Sequence, residues 1–130
     1  RGLTDERKAL WASWAITGPE RRVYFAGDTG LLPEFAAIGS EFGPFDLALI
    51  PIGAYEPIPM MQPVHLDPEE AVEAARLVRA ERVLAIHFGT FDLADEPLGE
   101  PPVRFRAAAE AAARGPGSAW IFRIGETRNF

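Results

Sequence analysis

Cysteine is missing from this 130-residue chain. Neither a disulfide framework nor a thiolate metal site is therefore available, and any ion must be held by His, Asp or Glu. Histidine is scarce as well, with two copies, His65 and His87. Basic residues are outnumbered, 13 Lys and Arg against 19 Asp and Glu for a formal net charge of −6. They are scattered rather than gathered on one face, which argues against a nucleic-acid partner. No apolar run approaches the ~20 residues that span a bilayer, and no charged leader with an apolar core opens the chain. The expectation is a soluble chain of the cytoplasm, with the membrane surface as an alternative location.

Apolar residues make up 48% of the chain, enough for one globular domain over residues 1–130 and too many for disorder. Arg1-Gly2-Leu3-Thr4 lacks an initiator methionine and runs straight toward a strand-like pattern at 10–16, which reads as an interior cut. Gly18-Pro19-Glu20-Arg21 supplies a turn before a second strand at 22–26, so the pair should be an antiparallel hairpin. A short helix follows at 31–38, with Pro33 near its start and Gly39 closing it. Residues 45–52 are apolar enough for a strand covered on both faces.

Residues 53–66 hold Gly53, Pro57, Pro59 and Pro63, so no regular element is expected there, and long irregular loops are often functional. Asp67-Pro68-Glu69-Glu70 then starts the clearest helix, because Asp67 can cap it, Pro68 suits its first position and Glu70 completes a capping box. A strand at 82–86, a loop at 88–101, an Ala-rich helix at 102–114 ended by Gly115, and a last strand at 119–124 complete the pattern. The order β-β-α-β-α-β-α-β, without internal repeats, makes this an α/β chain.

Two strand ends carry the chemistry. The run ending in Gly27-Asp28-Thr29-Gly30 presents a carboxylate where glycine permits a sharp turn, at the sheet edge where α/β folds bind ligands. The run 83–86 ends on His87. Imidazole and carboxylate together suit zinc, manganese or iron. Alone, Asp28 reads as a turn residue bonding its own backbone, and His87 as a satisfied core histidine; together they favour a metal site.

Four blocks extend this reading: Phe25-Ala26-Gly27-Asp28-Thr29-Gly30; Leu49-Ile50-Pro51-Ile52-Gly53-Ala54-Tyr55-Glu56-Pro57; Pro63-Val64-His65-Leu66-Asp67-Pro68-Glu69-Glu70-Ala71; and His87-Phe88-Gly89-Thr90-Phe91 with Asp95-Glu96-Pro97-Leu98. Together they resemble the metallo-β-lactamase fold, and within it the branch typified by the N-acylphosphatidylethanolamine-hydrolysing phospholipase D. The first block is superfamily-wide and the others are specific to the branch. The resemblance implies an αβ/βα sandwich with a dinuclear metal edge. This chain matches its C-terminal half, a single mixed sheet with helices on one face.

By that likeness Asp28 bridges two zinc ions, with manganese or iron as alternatives, and His87 is the last histidine ligand. His65 would stand in the active-site wall, for acid catalysis or substrate positioning, so that Asp28 and His65 are the catalytic candidates and Asp28 and His87 the metal candidates. A carboxylate can span two cations about 3.5–4 Å apart and leave a shared water acidified for attack. The implied substrate is a phosphodiester or lipid-like small molecule, and the implied class a metal-dependent hydrolase of phosphoric diesters.

The family's H-x-H-x-D-H motif and a further upstream histidine are absent, so the expectation is a chain without its N-terminal half, incomplete by itself. Alternatives are a sugar-phosphate lactonase of the same superfamily and a non-catalytic oligomerising module. A half sandwich would leave one sheet face bare, lined by Trp11, Tyr24, Phe25 and Leu49, and two copies are expected to pair through it as a homo-oligomer.

Lesser signals have plain readings beside their functional ones. Without the resemblance, His65 packs over the Asp67-Pro68 turn. Tyr55, Met60 and Met61 read equally as an acyl-binding wall or as anchors for their loop. Asp92, Asp95, Glu96 and Glu100 read as a solvated acidic loop, and Trp120 and Phe122 as core packing.

Overall fold

A computed structural model describes residues 11–130. The sequence reading of residues 1–4 and the expected strand start at residue 10 lie outside the described residues. The Gly18 N–H donates to the Arg21 carbonyl at 2.8 Å, closing a turn between β1 (Trp14–Thr17) and β2 (Arg22–Phe25), which pair antiparallel as expected. Three parallel pairings follow, joining β2 to β3 (Phe45–Pro51), β3 to β4 (Ala80–Ile86) and β4 to β5 (Ala119–Trp120). The sheet runs β1-β2-β3-β4-β5 in chain order.

The parallel connections carry α1 (Glu34–Glu41), α2 (Ile58–Met61) with α3 (Pro68–Leu77), and α4 (Glu100–Ala111). Right-handed crossovers between successive neighbours lay their helices on one face of a sheet. The core is that layer: Tyr24, Ala48 and Val83, which lie across from one another in register, pack with Phe35, Ala71, Ala75 and Phe105 from the helices. The mixed sheet with helices on one face is the α/β architecture expected.

The opposite face is apolar and partly open. Trp14, opposite Phe25 and through it Leu49, shares this face with Ile16, and Trp14 is 63% and Ile16 58% exposed. At the far edge the C-terminal tail covers it, with Phe122 stacked on Trp120 at 5.5 Å and Arg128 over both rings. Tyr24 does not belong to this face, contrary to the sequence reading. It is 1% exposed and sits in the core between Phe35 and Phe45. Adjacent strand residues point to opposite sides, so Tyr24 and Phe25 could not have shared one face. Among the described residues no helix is long and apolar enough to cross a membrane.

Several boundaries move for identifiable reasons. A single helical turn, α2, forms inside the proline-rich loop, because Pro57 and Pro59 sit at its N-terminus, where no N–H is required. Helix α4 starts at Glu100, with Pro101 and Pro102 in its first turn, and its chain reversal comes at Ala113 (φ 51°) rather than at Gly115. The strand β5 stops at Trp120 instead of reaching residue 124. Asp67 and Glu70 form the expected capping box, with Asp67 Oδ1 accepting from the Glu70 N–H at 2.7 Å and Glu70 Oε2 from the Asp67 N–H at 3.1 Å.

Gly39 lies within α1 rather than closing it. It is buried where α1 meets α3, and a Cβ there would collide with the Leu77 carbonyl and Val78. Glycine to alanine inside a helix ordinarily stabilises by about 0.5–1 kcal/mol, whereas overpacking costs about 1–3 kcal/mol. Gly39→Ala should therefore lower stability, and a rise in the urea midpoint would show that α1 and α3 do not touch there.

Candidate metal centre

The parallel strands β2, β3 and β4 end at one edge of the sheet, and the segments leaving them bring together what the sequence keeps far apart. After β2 the Ala26 N–H still donates to the Leu49 carbonyl at 3.0 Å, and Gly27 at φ 71° then turns the chain so that Asp28 stands off the edge, half exposed. Gly30 makes room for the loop after β3, since a Cβ there would lie 2.6 Å from the Gln62 carbonyl oxygen and 2.9 Å from Pro63.

That loop delivers His65. Its N–H donates to the Met61 carbonyl at 2.8 Å, closing the turn after α2. Leu66 is fully buried beside it, and the Asp67 capping box follows. The His65 ring is therefore held from both sides, and its Nε2 lies 3.3 Å from Asp28 Oδ1. Its Nδ1 is buried without a hydrogen-bond partner among the described residues.

His87 follows β4 directly and adopts φ 59°. A non-glycine residue in this left-handed region costs on the order of 1–3 kcal/mol and persists only where its surroundings hold it. Here the Ile52 N–H donates to the Ile86 carbonyl at 3.1 Å, and Gly53 packs so closely on the His87 carbonyl that a Cβ would overlap it. His87 Nε2 thereby reaches 3.7 Å from Asp28 Oδ2.

One donor atom from each of Asp28, His65 and His87 lies within 4.8 Å of the others, and the two imidazole rings are 5.5 Å apart. Two imidazoles and a carboxylate are the borderline donor set that suits a divalent transition ion. Three protein donors with one solvent-facing side match an open rather than a closed site. The buried, unpartnered Nδ1 of His65 fits less simply, because a ligating histidine normally donates from its second nitrogen. All three residues singled out in the sequence meet here, with His65 closer to the carboxylate than His87.

Other expectations change. Tyr55 is an anchor: it is 2% exposed, its hydroxyl donates to Glu100 Oε1 at 2.7 Å, and Arg104 lies 4.7 Å above its ring. Burial first, and then the hydrogen bond to Glu100, hold its pKa well above the ordinary tyrosine value. Met60 is exposed and builds no wall. An apolar cavity of about 250 Å³ lies instead against His87, with Phe88, Phe91, Leu93 and Leu98 in its lining. Phe91 and Leu93 are otherwise largely exposed.

The acidic loop is not uniformly solvated. Glu96 is buried and accepts from the Ala54 N–H at 2.5 Å and the Glu56 N–H at 3.0 Å. Composition hides it among exposed acids, and its one sequence signal is its place in the block Asp95-Glu96-Pro97-Leu98.

Residues 1–88 match the family model described as "Beta-lactamase superfamily domain". The chain is 53% identical over 94 residues to N-acyl-phosphatidylethanolamine-hydrolyzing phospholipase D 1 of Caenorhabditis elegans, an alignment covering 72% of this chain and 26% of that protein. It is 37% identical over 103 residues to a UPF0173 metal-dependent hydrolase of Pyrobaculum aerophilum, covering 79% of this chain and 40% of that one. Among solved structures, a metallo hydrolase of the hyperthermophilic archaeon Ignicoccus hospitalis superposes with a TM-score of 0.69 at 32% identity, over 89% of this chain and 44% of that one. The chain thus spans about a quarter of the length of the first curated relatives it matches.

Gly30 tests the geometry directly. Gly30→Ala should push the 62–63 backbone away and shift the resonances of His65 more than those of His87. Unchanged His65 signals in NMR spectra would mean that the Gly30 contact does not set its position.

Proposed function

This chain belongs to the beta-lactamase superfamily, and on that premise we propose that it is part of a zinc-dependent hydrolase of phosphodiesters in which Asp28 and His87 hold metal and His65 serves the reaction. The observation that carries the reading is the convergence of these three side chains at the sheet edge. A bound divalent ion would supply Lewis acidity and an acidified water. The chain's own residues do the rest. The Asp28 carboxylate faces both imidazoles and offers one oxygen toward each, and the Met61 turn before His65 and the buried Leu66 after it hold its backbone. With Nδ1 enclosed, Nε2 is the atom through which His65 can give a proton to a leaving oxygen.

The preference for a phosphodiester over a lactone is supported by the similarity to the nematode phospholipase D. A lipid-like group on the substrate is supported by the apolar cavity against His87. Asp28 and His87 are too few donors for a pair of ions, so the reading includes further ligands from outside these 130 residues. The open sheet face of Trp14, Ile16 and Phe25 is where an N-terminal half or a second copy bringing them would pack.

Elemental mass spectrometry of the reconstituted, desalted protein with its full metal shell is the test. Zinc should be retained, and Asp28→Ala should weaken retention at least about 100-fold, beyond the usual effect of an outer partner. Retention that is indifferent to Asp28 would sink the metal assignment. Faster turnover of a sugar-phosphate lactone than of a phosphodiester would replace the substrate class.

A further inference from the structure

We propose that Glu96 is a positioning residue that holds His87 in its strained conformation by clamping the backbone of residues 53–56 beneath it. The inference rests on the proposed metal reading for its consequence at the ion, though not for its geometry.

Glu96 is the buried acid among the described residues. Burying a carboxylate is costly unless hydrogen bonds replace its water. Both of its oxygens are engaged, Oε1 by the Ala54 N–H and Oε2 by the Glu56 N–H. A third bond runs the same way, since the Asp95 N–H donates to the Glu56 carbonyl at 3.3 Å. The segment from His87 to Glu96 is therefore a loop whose far end is tied to the stretch on which its near end rests.

That stretch cannot move independently of His87. Ala54 is itself left-handed, at φ 64°, and its N–H points to Glu96 rather than to a strand partner. Gly53, one residue earlier, is the residue packed against the His87 carbonyl. The contact chain runs from the Glu96 carboxylate to the Ala54 amide, through Gly53, to the His87 backbone. Two left-handed residues linked through Gly53, Ala54 and His87, need an external constraint, and the carboxylate supplies a charge-assisted bond to the first of them. Glu96 also lines the cavity that His87 lines, so releasing it would loosen both. His65 stands on the other side of Asp28, at the far end of the 53–66 loop, where it is held by the Met61 carbonyl and the Asp67 capping box rather than by Glu96, and serves as an internal reference.

Glu96→Gln keeps the shape and removes the charge. An amide can accept from one backbone N–H, while its NH₂ is set against the other, leaving a buried donor unpaired. Glu100→Gln is the control, because the Glu100 carboxylate accepts from the Tyr55 hydroxyl and from Arg104 but from no backbone N–H of 53–56. Glu96→Asp, one methylene shorter, provides a milder variant should Glu96→Gln fold poorly.

In the metal-free protein, Glu96→Gln should speed hydrogen exchange of the Ala54 and Glu56 amides roughly tenfold or more. It should also shift the backbone resonances of His87 clearly more than those of His65. In the zinc-loaded protein, metal affinity should fall about 10- to 100-fold, while Glu100→Gln does neither. Unshifted His87 resonances would overturn the proposal, as would equal shifts at His65 and His87 or an equal effect of Glu100→Gln. If the wild-type protein retains no metal, the proposed function fails, and the His87 resonances still decide the part played by Glu96.

Discussion

The pairing of β3 with β4, in register from Phe45 opposite Ala80 to Pro51 opposite Ile86, sets where every functional side chain can stand. Both strands end at the same level, so the segments that leave them, one toward His65 and one beginning at His87, start side by side. The pair is stabilised by what lies on its helix face. Ala48, Ile50, Val83 and Ala85 are almost completely removed from water there, and that burial is the main favourable term in folding. β2 joins the other side of β3, with Tyr24 opposite Ala48, and brings the Asp28 turn to the same edge. A slip of one residue in either pairing would send the core side chains to the open face and part the three donors.

The loops at that edge are held by polar ties with specific geometry. Asp67 and Glu70 close a capping box behind His65. Tyr55 and Arg104 tie the start of the 53–66 loop to α4, with Arg104 reaching Glu69 on α3 at 2.6 Å and Glu100 at 3.4 Å. Glu96 ties the loop after β4 to the same stretch. The bonds from Tyr55 to Glu100, Arg104 to Glu69 and Glu96 to the 54–56 backbone join residues 35 to 45 positions apart. Taken singly, bonds of this kind contribute about 1–3 kcal/mol when a charged group takes part. Their larger effect is to leave Asp28 exposed while its two imidazole neighbours are fixed, so that the site is open on one side and rigid on the other.

Elements with a strong local rule were legible in the sequence. The Gly18-Pro19 hairpin, the Asp67-Pro68 helix start and the apolar runs of β3 and β4 follow from turn chemistry, capping and hydrophobic pattern within a few residues. Expectations that needed a partner were less secure. Gly39 looked like a helix stop because glycine often is one, yet it serves α1 through its close approach to Leu77. Tyr24 looked exposed with Phe25 because aromatic content says nothing about which side of a strand a ring takes. Glu96 looked like one of four loop acids, and its burial depends on amides about 40 residues away.

By itself the sequence determined the α/β class, the two strand ends that carry Asp28 and His87, and the resemblance that drew His65 to them, because each is written in short-range pattern or residue identity. Tertiary structure alone decided that His65 comes within 3.3 Å of Asp28, that His87 is held left-handed, and that an apolar cavity opens beside it. The physical reason is that these facts belong to pairs of segments. Distances across a sheet edge are set by the register of β2, β3 and β4, and the burial of a carboxylate is set by the backbone it meets, neither of which is encoded at any single position in the chain.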